Sequence, residues 1–250
     1  MKEKKIVSIE NRIPKLKQAR KQKANRRLVF YLSIFLILIS IIVYLQSPLS
    51  NIKEIKITGN TIISDEAIID KVGLNKDTKI WTINSKKLNK KLKKNPIIKS
   101  VNVKRKLPST ILIKVNEYKV VGYVVTKEIN KAVLENGTIV ESEEDAFDLS
   151  TAPFLYEFKD KEVLNRMTKE LNELPEYIFD LISEVRWTPS KNNEYKIEMY
   201  MVDGFIVNTT IRNFSENMKV YPSIVSQLDS KDEGIIHVGE GSYFENKTKK

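Results

Sequence analysis

The chain has 250 residues, no cysteine and a single histidine, His237. Disulfides, thiolate nucleophiles and cysteine-ligated zinc are thereby excluded together. Of the net charge of +11, most sits on residues 1–27, which hold 11 Lys/Arg against Glu3 and Glu10; a nucleic-acid-binding chain carries its basic excess on the folded domain instead.

Directly after Arg27 comes LVFYLSIFLILISIIVYL, Leu28 to Leu45, 18 residues without a charge. At the helical rise this run covers ~27 Å, enough to cross a hydrocarbon core. Its only small polar residues are Ser33 and Ser40, and Tyr31 and Tyr44 near its two ends suit the membrane interfaces. The run exceeds a signal-peptide core of ~7–15 residues, and no A-x-A-like site follows, so an uncleaved anchor is expected. The positive-inside rule assigns residues 1–27 to the cytoplasm as a basic tail and the remainder to the outside. The expectation is a single-pass cell-membrane protein.

From Asn51 to Tyr118 the pattern is compact. IKEIKIT alternates, with Ile55 and Ile57 on one face, and reads as a half-buried strand ending in a Gly59–Asn60 turn. Ser64 can cap a helix whose first turn holds Asp65 and Glu66, whose apolar stripe is Ile68, Ile69 and Val72, and whose stop is Gly73. A second helix is expected from a cap at Asn84, with Ile83 stapled onto Leu88, and ends at Asn95–Pro96. Two strands follow, SVNVK with Val101 and Val103 inward and TILIKVNE with Ile111, Ile113 and Val115 inward, joined by a hairpin at Leu107–Pro108–Ser109. The order β-α-α-β-β specifies an α+β domain.

Residues 119–245 read differently. VVGYVV and KAVLENGTIV are short strands, the latter folded at Asn136–Gly137. The acidic stretch Glu141–Asp145 forms a loop, residues 161–183 are helical with a break at Pro175, and VRWT and NEYKIEMYMVDGFIVNTT add strands with a turn at Asp203–Gly204. A helix from about Asn213 to Leu228 and a last strand, GIIHV, complete a mixed domain dominated by an antiparallel sheet, followed by a short tail, 246–250.

Catalytic chemistry is not legible. His237 lies between Ile236 and Val238 in an alternating run, facing the more exposed side, and no nucleophile and acid stand at triad-like spacing. The acids Glu141, Glu143, Glu144 and Asp145 lack calcium-loop spacing and read as a solvated loop. Gly239-Glu240-Gly241 is a turn, because no helix opens after it to hold phosphate. No catalytic, cofactor or metal site is expected. The run of lysines containing Lys90, Lys91 and Lys94 reads first as a solvated helix face, and second as a contact for anionic lipid or wall polymer. A final strand such as GIIHV is often an open edge that accepts a partner's strand, and Tyr243 and Phe244 beyond it either join that surface or fold back onto the core.

KITGN, the helix opened by Ser64, and NPIIKSVNVKRKLPSTILIKVNE together resemble a POTRA domain. Placed directly outside one N-terminal anchor, they resemble the bacterial DivIB/FtsQ division proteins, with MKVYPSIV and GIIHVGEGSYFEN as weaker matches farther on. Asp77 departs from the pattern, standing where glycine is expected. The resemblance implies a non-enzymatic bitopic scaffold at the division septum. It would hold FtsB/DivIC-like and FtsL-like single-pass partners and position septal wall synthesis. Arg212, Ile236, Val238, Tyr243 and Phe244 are the residues it carries over as partner-binding. The alternatives are a membrane-anchored wall enzyme and a POTRA-type polypeptide transport component.

Overall fold

A computed structural model describes residues 12–126, 130–141, 147–229, 232–239 and 241–246. Helix α1 runs from Arg12 to Gln46, so the apolar run and the end of the basic tail form one continuous helix. Its stretch Arg20–Gln46 is long and apolar enough to cross a membrane, and its apolar window is wholly unburied by the rest of the protein. Ser33 and Ser40 donate to the carbonyls of Val29 (2.8 Å) and Leu36 (2.9 Å), so neither hydroxyl is left unsatisfied on the helix surface.

Two compact units divide the chain: Met1–Lys56 with Leu74–Ser85 and Lys104–Leu112, and Ile57–Gly73 with Lys86–Val103 and Ile113–Lys250. In the first, α1 gives way to a short 3-10 turn, Pro48–Ser50, capped by the Ser47 hydroxyl. The helix end is closed by its own unit: Lys79 Nζ donates to the carbonyls of Gln46 (2.7 Å) and Leu45 (3.2 Å), and Ser50 Oγ also donates to Leu45 (3.0 Å). These are the carbonyls a helix C-terminus otherwise leaves orphaned, and a cation there also opposes the negative end of the dipole. Tyr44 packs edge-on against Trp81 and donates through its hydroxyl to the carbonyl of Pro108 at 3.0 Å.

The β-α-α-β-β order is realised as β1 (Glu54–Thr58), α2 (Asp65–Val72), α3 (Ser85–Leu92), β2 (Ile98–Lys106) and β3 (Thr110–Glu117), with the strands in the order β1-β3-β2. Sequence punctuation explains the boundaries. Ser64 Oγ accepts from Ala67 N–H, and Gly73 closes α2 in the left-handed region at φ 69°. Gly59, at φ 82°, allows strand and turn to approach Val115, whose carbonyl oxygen would lie 2.3 Å from any Cβ placed there. Glu117 then ties the turn down: its carboxylate accepts from the N–H groups of Thr61, Ile62 and Ile63 and from the Thr61 hydroxyl, at 2.8–3.0 Å.

The remaining strands are β4 (Val120–Val125), β5 (Asn130–Leu134), β6 (Ile139–Glu141), β7 (Phe154–Tyr156), β8 (Ile182–Trp187), β9 (Lys196–Met201), β10 (Ile206–Thr210), β11 (Gly234–His237) and β12 (Tyr243–Asn246). They make one nine-stranded sheet in the order β12-β11-β10-β9-β8-β7-β4-β5-β6. Pairing is parallel at β4–β7, β7–β8 and β10–β11 and antiparallel at the five other junctions, so the sheet is mixed and mainly antiparallel. Both expected turns form, with Gly137 at φ 79° between β5 and β6 and Gly204 at φ 92° between β9 and β10. The expected acidic loop lies outside the described residues except for Glu141, which ends β6 and pairs with Lys131 at 3.3 Å.

Helices α4 (Lys161–Glu173), α5 (Glu176–Phe179), α6 (Phe214–Asn217) and α7 (Tyr221–Val225) supply the rest of this core. Met167 and Leu171 of α4, Phe214 of α6 and Tyr221 of α7 are essentially fully buried with Val185, Ile197, Met199 and Val207 of the sheet. The single helix expected over 213–228 is instead two short helices joined by a 3-10 turn, Met218–Val220. Asn213 enters it in the left-handed region, and Pro222, with no N–H to donate, stands in the first turn of α7. Tyr221 donates to both carboxylate oxygens of Asp203 at 2.8 Å, joining this segment to the β9–β10 turn. Burial first, then the hydrogen bond to Asp203 and last its charge, raises the Tyr221 hydroxyl far above its ordinary pKa.

Candidate partner-binding edge

The strand GIIHV is not the edge of the sheet. After a turn, Tyr243–Asn246 returns antiparallel along it, pairing His237 with Tyr243, Ile236 with Phe244 and Gly234 with Asn246. Among the described residues β12 has no strand beyond it, so it is one of the two edge strands of the sheet, β6 being the other. Two features seat it. Phe244 turns inward and meets Phe205 edge-on at 6.1 Å. Gly234 leaves room beneath it: a Cβ there would fall 2.3 Å from the Glu245 carbonyl oxygen and 2.5 Å from the Phe244 ring.

Alternation along β11 and β12 then sorts the remaining side chains by face. Ile236 and Val238 are 0% and 5% exposed and belong to the core. His237 faces the other way, stacked on Tyr243 with ring centroids 4.5 Å apart and bonded to Glu245 at 2.9 Å. Tyr243 itself is 57% exposed. The structure therefore gathers His237, Tyr243 and Glu245 into one solvent-facing cluster on the outer two strands. The histidine has an acid beside it but a tyrosine ring, not a serine, on its other flank.

Arg212 follows β10 and is exposed, with its guanidinium over the Tyr195 ring at 4.8 Å. Arg166 of α4 approaches the same ring at 5.4 Å. The backbone beneath is fixed by Glu170, which accepts from the N–H (2.8 Å) and hydroxyl (3.0 Å) of Ser215 at the start of α6. Because Asn208 pairs with His237, and His237 with Tyr243, Arg212 stands off the same end of the sheet as Tyr243. Lys90, Lys91 and Lys94 are all exposed, opposite the buried Leu88 and Leu92, so α3 separates its faces as its spacing predicts.

Sequence reasoning missed Glu245 and Gly234. The alternation of Tyr243 and Glu245 with Phe244 was the available signal, but four residues are too few to distinguish a strand from a turn.

The comparisons agree along most of the chain. A POTRA domain of FtsQ type matches residues 50–118, and the C-terminal region of cell division protein FtsQ/DivIB matches residues 122–239. Cell division protein DivIB of Bacillus subtilis (strain 168) is 41% identical over 242 residues, covering 96% of this chain and 91% of that protein. DivIB of Geobacillus kaustophilus (strain HTA426) is 39% identical over 240 residues, covering 96% and 92%. Among solved structures, the major extracytoplasmic domain of the trans isomer of Geobacillus stearothermophilus DivIB is 33% identical, with a TM-score of 0.40 over 46% of this chain and 98% of that one. An apolar N-terminal helix, a β-α-α-β-β unit and a β-rich unit after it thus occur in a chain that belongs to the FtsQ/DivIB family of cell division proteins.

Proposed function

We propose that this chain is a non-enzymatic scaffold of the division machinery that holds FtsB/DivIC-like and FtsL-like single-pass partners outside the membrane and thereby positions septal wall synthesis. The stretch Leu28–Leu45 of α1 is its span, with residues 1–27 cytoplasmic by the basic excess that precedes Leu28. Residues 51–118 are the POTRA domain and 119–245 the partner-binding β domain.

One observation carries the reading: β12 is an edge strand of the nine-stranded sheet, among the described residues, and presents the half-exposed Tyr243 beside His237 and Glu245. Natural sheets usually protect such an edge, and an edge left open is a template for an added strand. Main-chain hydrogen bonds would then supply affinity, and Tyr243 and Arg212 would select the partner. Ile236, Val238 and Phe244 act from beneath, holding the two strands in place. Lys90, Lys91 and Lys94 form a separate candidate contact for anionic lipid or wall polymer.

The test is recovery of partners with the full chain extracted from membranes. Tyr243→Ala and Arg212→Glu should each reduce recovery of the FtsB/DivIC-like partner relative to the unaltered chain. Equal recovery with both variants, or no such partner with the unaltered chain, would overturn the assignment.

A further inference from the structure

We infer that the loops around the outer end of α1 are seated in the headgroup region of the bilayer, so that these segments of the first compact unit touch the lipid surface as well as being tethered to it. The inference rests on α1 spanning the membrane, but concerns residues that neither the apolar run nor the lysine helix contains.

The depth of these loops follows from their bonds to the helix. Leu45 is the last residue of the apolar run, which places Tyr44, Leu45 and Gln46 at the interface. Tyr44 touches Trp81 and bonds to Pro108; Leu45 and Gln46 are bonded to Lys79. Main-chain bonds complete the connection, from Ile52 N–H to the Thr78 carbonyl and from Lys53 N–H to the Ser109 carbonyl, both 2.9 Å. The segments around Leu49, Trp81 and Leu107 are thus held within one layer of contacts of the helix end.

What those segments expose is the second strand of the argument. Leu49, Trp81 and Leu107 are 59%, 39% and 55% exposed, three large apolar side chains within one small region. Solvated loops rarely concentrate such residues, and tryptophan favours the bilayer interface, where its ring is apolar and its N–H stays wet. Basic side chains accompany them. Lys104, Arg105 and Lys106 are all exposed, and Arg105 lies over the Trp81 ring at 5.9 Å. Apolar side chains entering among headgroups, with cations at phosphate level, are the chemistry of a peripheral lipid contact. The nearby Glu54 is ion-paired with Lys56 at 3.3 Å, which moderates its repulsion of an anionic surface.

The absence of cysteine allows a single reporter to be placed by Leu107→Cys in the full chain. The protein is reconstituted alone into vesicles of phosphatidylglycerol and phosphatidylethanolamine, and an environment-sensitive fluorophore is attached at position 107. Lipid brominated near the headgroup should quench it strongly and aqueous iodide weakly; Leu49→Cys should behave alike. Adding Trp81→Ser to Leu107→Cys should increase iodide access. Iodide quenching of both labels without lipid quenching overturns the inference while leaving the anchor intact. An alkaline carbonate wash distinguishes the other failure: a chain released from the vesicles overturns the anchor, and this inference with it.

Discussion

Glu117 and Thr61 stand 56 residues apart in the chain, and one carboxylate oxygen of the first accepts both the N–H and the hydroxyl of the second at 2.8 Å. The same group also receives the N–H groups of Ile62 and Ile63, so the end of β3 organises the whole segment between β1 and α2. Removing it strands several main-chain donors at once. Glu117→Ala should lower unfolding free energy by about 2–3 kcal/mol, read from urea denaturation, because charge-assisted bonds are stronger than neutral ones. Glu117→Gln, which keeps one acceptor oxygen, should fall between the two.

Gly59 offers a related test. Its φ of 82° is costly for any side chain, and the Val115 carbonyl oxygen occupies the position a Cβ would need. Gly59→Ala should destabilise by about 1–3 kcal/mol through strain alone, before any displacement of β3 is counted. Gly204→Ala is the control, since its φ is also positive, at 92°, but nothing crowds its Cβ. A loss at Gly59 no larger than that at Gly204 would show that the approach to Val115 is slack.

Seating and contact at β12 should separate. Gly234→Ala drives a Cβ into the Phe244 ring and the Glu245 carbonyl, so it should displace β12 and increase amide exchange over residues 243–246. Tyr243→Ala removes an exposed ring and should leave exchange at the β11–β12 pairs near that of the unaltered chain while weakening partner recovery. If Tyr243→Ala loosens the strand as much as Gly234→Ala does, its ring supports the fold rather than the partner.

Tyr221 predicts a pH dependence with a definite sign. Its hydroxyl pKa is raised in the folded state by burial and then by Asp203, so the folded protein holds that proton more tightly than the unfolded chain. The contribution is complete below the unfolded tyrosine value of about 10 and is lost as pH rises beyond it. Tyr221→Phe should cost about 1–3 kcal/mol at neutral pH, since it removes the hydroxyl donor and leaves Asp203 only the longer bond from Phe205 N–H, and should make the alkaline decline shallower. Tyr123 and Tyr200 are shifted in the same direction, so the decline will not vanish.

The parts legible in the sequence were those governed by neighbours. Ser64, Gly73, Gly137 and Gly204 act on bonds or dihedrals within a few residues, and each marks the boundary its type predicts. Alternation assigned Ile111, Ile113 and Val115 to the core for the same reason. Glu117 was visible only as the end of a strand, because its four donors lie more than 50 residues away. The break at Met218–Val220 was hidden by a helix-like apolar pattern that Pro222 and the left-handed Asn213 interrupt. At the site, GIIHV could be recognised as a strand, but its covering by Tyr243–Asn246 is a tertiary event, and it moves the exposed edge one strand outward.

The closure of α1 by Lys79, Ser50 and Tyr44 has a mechanical consequence. A domain on a loose tether is indifferent to how its membrane helix turns, whereas here the final turn is bonded to three separate segments of the same unit. Torque applied within the bilayer, for instance by another helix packing against α1, therefore passes into residues 78–82 and 105–109 instead of dissipating at a swivel.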